Sequence, residues 1–291
     1  MERVWGGRRL AELFGRELPD GPIGESWEIH GQLKVASGPL NGSTLDHLVE
    51  EFGEELLGSR GASHKTFPLL TKWLDCRDWL SVQVHPDDAL AVELTGDPNL
   101  RGKTEAWYVV HADRESRLIH GLKPEVSLHD LEAAQGDGVL QCLREVAPQA
   151  GDLLFTSAGT VHALGPGYVI YEIQQSSDLT YRLYDWGRDR PVHPAESLRC
   201  MRESLPCDFA EDQGLLTCPF FEIRVLRFGE SFAPIGDTFL ILAALVGDWN
   251  LRGEFGELRL ARGESLLLPA AMSALAVSPY QVGKLLVVGL G

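Results

Sequence analysis

Four short stretches of this chain carry side chains that could do chemistry together. In "SVQVHPDD" (Ser81–Asp88), period-two alternation places Ser81, Gln83 and His85 on one face of a strand, with Val82 and Val84 on the other. In "GKTEAWYVV" (Gly102–Val110), Lys103, Glu105 and Trp107 share one face of a second strand. In "GTVHALGPG" (Gly159–Gly167), His162 follows a Gly-rich turn. "YVIYEIQQSSDLTYRLYDWGR" (Tyr168–Arg188) then sets Glu172 between Tyr171 and Ile173 and brings Asp178 and Arg182 close behind. A polar strand face alone is ordinarily solvated, and a lone Lys-x-Glu is ordinarily a surface ion pair worth little. Here the polar groups interrupt apolar strands, where each needs a partner once buried. His162, Glu172, Asp178 and Arg182 together point to a shared polar cavity, not to a satisfied core.

Gln83, His85, Glu105 and His162 supply two imidazole nitrogens and two oxygens. Such a mixed nitrogen and oxygen set, with no Cys, fits a catalytic zinc or another first-row divalent ion with room for water or substrate. Two His and one carboxylate are also the facial triad of non-haem iron, so an iron oxygenase competes. The other histidines (His47, His64, His111, His120, His129 and His193) read as surface or satisfied core.

The whole chain narrows the partners. A formal charge of −16 argues against nucleic acid and anionic membrane, which both need a basic face. A small anionic substrate stays open, because a few local Arg and Lys outweigh a screened global field at short range. Five scattered Cys (Cys76, Cys142, Cys200, Cys207 and Cys218) without a Cys-x-x-Cys pair suit reduced thiols. The opening "MERVWGGRRLAELF" has no apolar h-region, and the longest apolar run, Phe239–Gly247, is strand-sized. A cytoplasmic protein is expected. Oligomeric state is not legible.

The elements that must position these side chains are mostly strands, as the 31 Gly and 16 Pro favour tight turns. Three helical stretches are expected. Residues 44–57 put Leu45, Leu48, Val49, Phe52 and Leu56 on one face, with a box-like start at Ser43 and Asp46 and a stop at Gly58. Residues 86–94 form the second, and residues 128–146 the third, starting behind Ser127 and Asp130 with a break at "GDG". A weak repeat also stands out: "GDLLFTSAGTVHAL" (Gly151–Leu164) aligns without gaps on "GESLLLPAAMSALA" (Gly263–Ala276), with His162 falling on Ala274. The expected organisation is a metal-binding domain over 1–192, a connector over 193–214 and a C-terminal β domain without metal ligands over 215–291.

At this level of detail the motifs resemble a known family. "LSVQVHPDD", "GKTEAWYVV", "GTVHALGPG" and "YEIQQSSDLTYRLYDWGR", with "WGGRRLAELFG" and "IGESWEI" before them, are similar to type I mannose-6-phosphate isomerases in their shorter bacterial form. The recognisable part spans roughly residues 5–190, and "WEIHG" departs from the usual pattern at His30. The resemblance implies a mainly β chain built on a cupin double-stranded β-helix, with a second, metal-free cupin-like domain. It implies one Zn2+ per chain on Gln83, His85, Glu105 and His162, and a sugar-phosphate substrate.

It further implies that Arg182 lies in the active site, that Ser81 and Lys103 help hold the sugar phosphate, and that Glu172 and Asp178 line the reacting carbons. Arg188 would help Lys103 offset the phosphate charge. Glu172 is the expected general base, with Asp178 or a zinc-bound water as alternatives. A non-catalytic sugar-phosphate-binding cupin is the third reading; Glu172 and Arg182 argue against it, since binding alone would not require them.

Overall fold

Period-two alternation in the first part of the chain is realised as two facing sheets. The computed structural model describes residues 1–134, 136–202, 209–210, 214–227, 236–253, 255–272 and 275–291. Its strands up to residue 210 are β1 (Glu2–Gly7), β2 (Glu25–Ile29), β3 (Leu69–Cys76), β4 (Val82–Val84), β5 (Glu105–Ala112) and β6 (Leu118–Leu122). They continue with β7 (Leu143–Val146), β8 (Leu153–Thr156), β9 (His162–Leu164), β10 (Tyr168–Gln175), β11 (Tyr181–Tyr184) and β12 (Phe209–Ala210). One sheet runs β1–β3–β10–β5–β8–β12 and the other β11–β4–β9–β6–β7.

Register decides what faces the interior between them. Glu105 pairs with Gln174 on one side and Thr156 on the other, and Trp107 with Glu172 and Leu154, so these side chains project from one face. On the second sheet His162 pairs with both Gln83 and His120, and Gln83 with Arg182. One part of the interior is apolar, filled by Leu74, Trp107, Val109, Leu118, Leu154, Leu164, Tyr168 and Ile170. The other part collects the polar groups.

Both sheets are covered on their outer faces as well. Trp73 packs between Phe14 of helix α1 (Arg9–Phe14) and Tyr171, at ring distances of 4.5 and 4.7 Å. This cover is why β3 and β10 are buried along their whole length and do not show a solvated face. Val82, Val84, Ile119, Ala163, Tyr181 and Leu183 form a separate core on the far side of the second sheet.

The helices match the expectations in part. Expected residues 44–57 are α2 (Leu45–Phe52) and α3 (Glu54–Leu57), broken at Gly53, whose φ is 49°. The cap is Thr44, which accepts from His47 N, and not Ser43. Asp87 caps α4 (Asp88–Thr95), and Ser127 with Asp130 forms the full capping box of α5 (Leu128–Ala133). The expected helix over 128–146 ends early: α6 (Gly138–Cys142) gives way to β7, because pairing with β6 overrides the local helical pattern. Inside the expected connector, α7 (Pro194–Cys200) places Cys200 in the core of the second sheet, and β12 pairs with β8.

The chain divides into two compact units, residues 1–26 with 72–212, and 27–71 with 213–291. Residues 27–71, expected with the first domain, therefore group with the C-terminal strands. The second unit holds β13 (Leu215–Thr217), β14 (Glu222–Arg227), β15 (Leu240–Val246), β16 (Trp249–Gly253), β17 (Gly256–Leu260), β18 (Ser265–Leu268), β19 (Leu275–Pro279) and β20 (Lys284–Gly289).

The sequence repeat is a structural repeat. β8 and β18 occupy identical positions in the ungapped alignment, and the turns before them make the same bonds. Gly151 N donates to Val109 O and Val109 N to Asp152 O; Gly263 N donates to Ala244 O and Ala244 N to Glu264 O. Asp152 closes its turn on Gln149 N at 2.7 Å and Glu264 on Ala261 N at 2.8 Å. Both glycines sit at positive φ, 109° and 86°. In this frame Glu105, Trp107, Thr156 and Glu172 correspond to Leu240, Leu242, Leu268 and Val287. All four counterparts lie in one apolar core with Trp249, Leu251 and Leu285. Ala274, the counterpart of His162, lies outside the described residues.

Candidate active site

β4, β5 and β9 deliver the polar groups. Alternation turns Val82 and Val84 into the outer core and leaves Ser81, Gln83 and His85 facing inward, as expected. His85, Glu105 and His162 are all buried, and their ligand atoms lie within 4.8 Å of one another. His162 Nε2 is 3.2 Å from Glu105 Oε1, and His85 Nε2 is 3.7 Å from Oε2. Each ring is fixed from behind by a main-chain carbonyl: His85 Nδ1 donates to Leu179 O at 3.0 Å and His162 Nδ1 to Thr160 O at 2.9 Å. That fixes the tautomer with Nε2 free to ligate. Burial, reinforced by the Lys103 charge, pushes the His85 pKa well below its ordinary value. Burial also brings His162 down to about 4, against the opposing bond to Thr160. Both rings are therefore neutral at physiological pH, the form a metal needs.

The carboxylate between them is unfinished. Neither Glu105 oxygen accepts a hydrogen bond, although the side chain is buried. Lys103 Nζ stands 2.8 Å from Oε2 and 3.0 Å from His85 Nε2, close enough for an ion pair but not aligned as a hydrogen bond to the carboxylate. A buried charge with two open acceptors, faced by two imidazole nitrogens, fits a divalent cation. Gln83 adjoins the group, its Nε2 3.3 Å from His162 Nε2 and its Oε1 accepting from Ser81 Oγ at 3.3 Å. Turning the amide over would put its oxygen on the cage.

The remaining expected residues are placed as follows. Arg182 Nε donates to Ser81 Oγ at 3.2 Å, which links it through Ser81 and Gln83 to the cage. Glu172 is buried on β10, with Oε2 accepting from Trp107 Nε1 at 3.1 Å. Its Oε1 is 2.9 Å from Lys72 Nζ and makes no hydrogen bond. Asp178 lies in the partly exposed turn between β10 and β11. Arg188 donates to Trp79 O and Asp78 Oδ2, both at 2.7 Å, and none of its partners belongs to the cage.

Sequence reasoning missed Lys72 and His120. Burial disfavours the Lys72 ammonium, but the charges of Glu172 and Glu25 outweigh that and raise its pKa. Its signal was a lone Lys in the apolar strand "LLTKWLDC". His120 Nε2 meets Thr156 Oγ1 at 3.2 Å, and burial, then the neighbouring charges of His162 and Arg144, lowers its pKa to about 3.

The fold and the cage define a class: a cupin-type barrel with a buried two-histidine, one-carboxylate centre. Comparison with known proteins narrows it. The catalytic-domain family of type I phosphomannose isomerases matches residues 1–100. A mannose-6-phosphate isomerase of Streptococcus mutans is 36% identical over 294 residues, 92% of this chain and 89% of the relative. The Bacillus subtilis mannose-6-phosphate isomerase ManA is 33% identical over 310 residues, 96% and 93% of the two chains. A crystal structure of a B. subtilis mannose 6-phosphate isomerase superposes with a TM-score of 0.85 at 28% identity, covering 99% of this chain and 96% of that one. The chain belongs to the type I phosphomannose isomerase family.

Proposed function

We propose that this chain is a zinc-dependent aldose–ketose isomerase that interconverts mannose 6-phosphate and fructose 6-phosphate. The observation that carries the proposal is the buried Glu105 carboxylate, without hydrogen bonds and faced by the Nε2 atoms of His85 and His162. The similarity to mannose-6-phosphate isomerases over nine-tenths of the chain supports the substrate. Gln83, His85, Glu105 and His162 would hold the ion, which when bound supplies a Lewis acid beside the sugar oxygens.

The chain's own residues do the rest. Isomerisation moves a proton between C1 and C2 through a cis-enediolate, which needs a base on one face and positive charge beside the developing oxyanion. Glu172 is the proposed base: its Oε1 is buried, lacks a hydrogen bond and faces the barrel interior. The family resemblance assigns Asp178, which is exposed between β10 and β11, to the reacting carbons as well. Lys72 and Trp107 orient the Glu172 carboxylate. Arg182, always protonated, stabilises the enediolate charge. With an ion on Glu105 and His85, Lys103 would be free to serve the phosphate, and Ser81 would help hold it. Arg188, committed to Asp78 and Trp79, supplies a more distant positive charge.

A coupled assay on mannose 6-phosphate tests the proposal. Activity should disappear with chelator and return with zinc; activity indifferent to chelation, or oxygen uptake with bound iron, would overturn it.

A further inference from the structure

Arg182 is held from behind by a residue with no place in the chemistry above. β11 is the edge strand of its sheet, and an edge strand carries main-chain groups that the sheet leaves unpaired. At Arg182 one residue takes both: His193 N donates to Arg182 O at 2.7 Å, and Arg182 N donates to His193 Nδ1 at 3.2 Å. Two residues earlier, Pro191 O accepts from Arg182 Nη1 at 2.8 Å. A main-chain N–H can only donate, so His193 Nδ1 is the unprotonated nitrogen of a neutral ring. His193 is also the N-cap of α7, a position where Ser, Thr, Asp or Asn ordinarily satisfies a helix amide. Its side chain makes no capping bond, and Pro194 at the first helical turn removes one amide that would need it. The imidazole is committed to Arg182 instead, edge-on to Tyr181 at 5.9 Å.

We propose that His193 is a positioning residue of the isomerase site: its Nδ1 and main-chain N–H clamp the Arg182 backbone and so aim the guanidinium toward Ser81 and the cage. This rests on the reading of Arg182 as the charge-stabilising group. Misplacing such a group by about 1 Å can cost on the order of 100-fold in rate.

The test compares three substitutions in the zinc-loaded enzyme. His193→Asn puts an acceptor oxygen where Nδ1 stood, His193→Gln moves it to the far nitrogen's place, and His193→Ala removes it. Expected is a fall in kcat of roughly 10- to 100-fold for Ala and Gln, with Asn within about twofold of wild type at unchanged zinc content. In an Arg182→Ala background, His193→Ala should lower kcat no further. Equal impairment of Asn and Ala, or an undiminished effect in that background, would assign His193 a merely structural role and overturn the proposal. If His193→Ala does not fold, the Asn and Gln pair decides. If Arg182→Ala loses its rate while His193→Ala and His193→Gln keep theirs, only the clamp fails. If Arg182→Ala itself stays near wild type, the underlying reading fails with it.

Discussion

A buried carboxylate without hydrogen bonds is costly unless something else completes it, and Glu105 is in that position. His162→Ala should therefore lose bound metal, read by elemental analysis, and with it roughly 10³-fold in kcat, the equivalent of a few kcal/mol of lost charge stabilisation. Glu172 has a lysine neighbour as Glu105 does, Lys72 at 2.9 Å against Lys103 at 2.8 Å, and adds a hydrogen bond from Trp107 Nε1. Lys72→Met leaves that carboxylate without its cation and should cost about 3–5 kcal/mol in urea unfolding, with much of the loss recovered by adding Glu172→Gln. Gln83, His85 and Glu105 stood out in the sequence through strand alternation, and His162 through the Gly-rich turn before it. Lys72 left a signal, a lone Lys in an apolar strand, but not its partner. His120 and His193 left none: a lone His in or beside a strand fits a solvated face equally well, and only the fold shows what each meets.

The Gly-acid turn is the element that recurs. It sets the start of β8 through Gly151 and of β18 through Gly263, each at positive φ with the same bonds around it. Gly151→Ala and Gly263→Ala should each cost about 1–2 kcal/mol by chemical denaturation, because a Cβ is strained in that conformation. A clear loss at one site and none at the other would separate the two turns. This turn was readable because its determinants, a Gly and a neighbouring acid, are local. The same holds for the Ser127–Asp130 box of α5. β7 was not readable: "LREV" continues a helical pattern, and its strand state comes from β6, more than twenty residues earlier in sequence. The grouping of residues 27–71 with the C-terminal strands was hidden for a similar reason, since adjacency in sequence favoured the first domain.

At the scale of the whole molecule, the polar interior links stability to pH. His120 has a folded pKa near 3, below its ordinary 6.5, so between those values the unfolded chain binds a proton that the folded one refuses. Its contribution is intact above pH 6.5 and declines by about 1.4 kcal/mol per pH unit as pH falls toward 3. His120→Gln should weaken this decline by about 2–3 kcal/mol between pH 6.5 and 4.5, measured by urea unfolding. The two β units share a frame yet differ in lining: where one holds Glu105, Thr156 and Glu172, the other holds Leu240, Leu268 and Val287. The molecule thus carries its own control experiment for what an active site costs a barrel. Amide protons of β15 and β20 should outlast those of β5 and β10 in deuterium, since an apolar interior opens less readily than one built around charged side chains. Saturating zinc should narrow that gap from one side only.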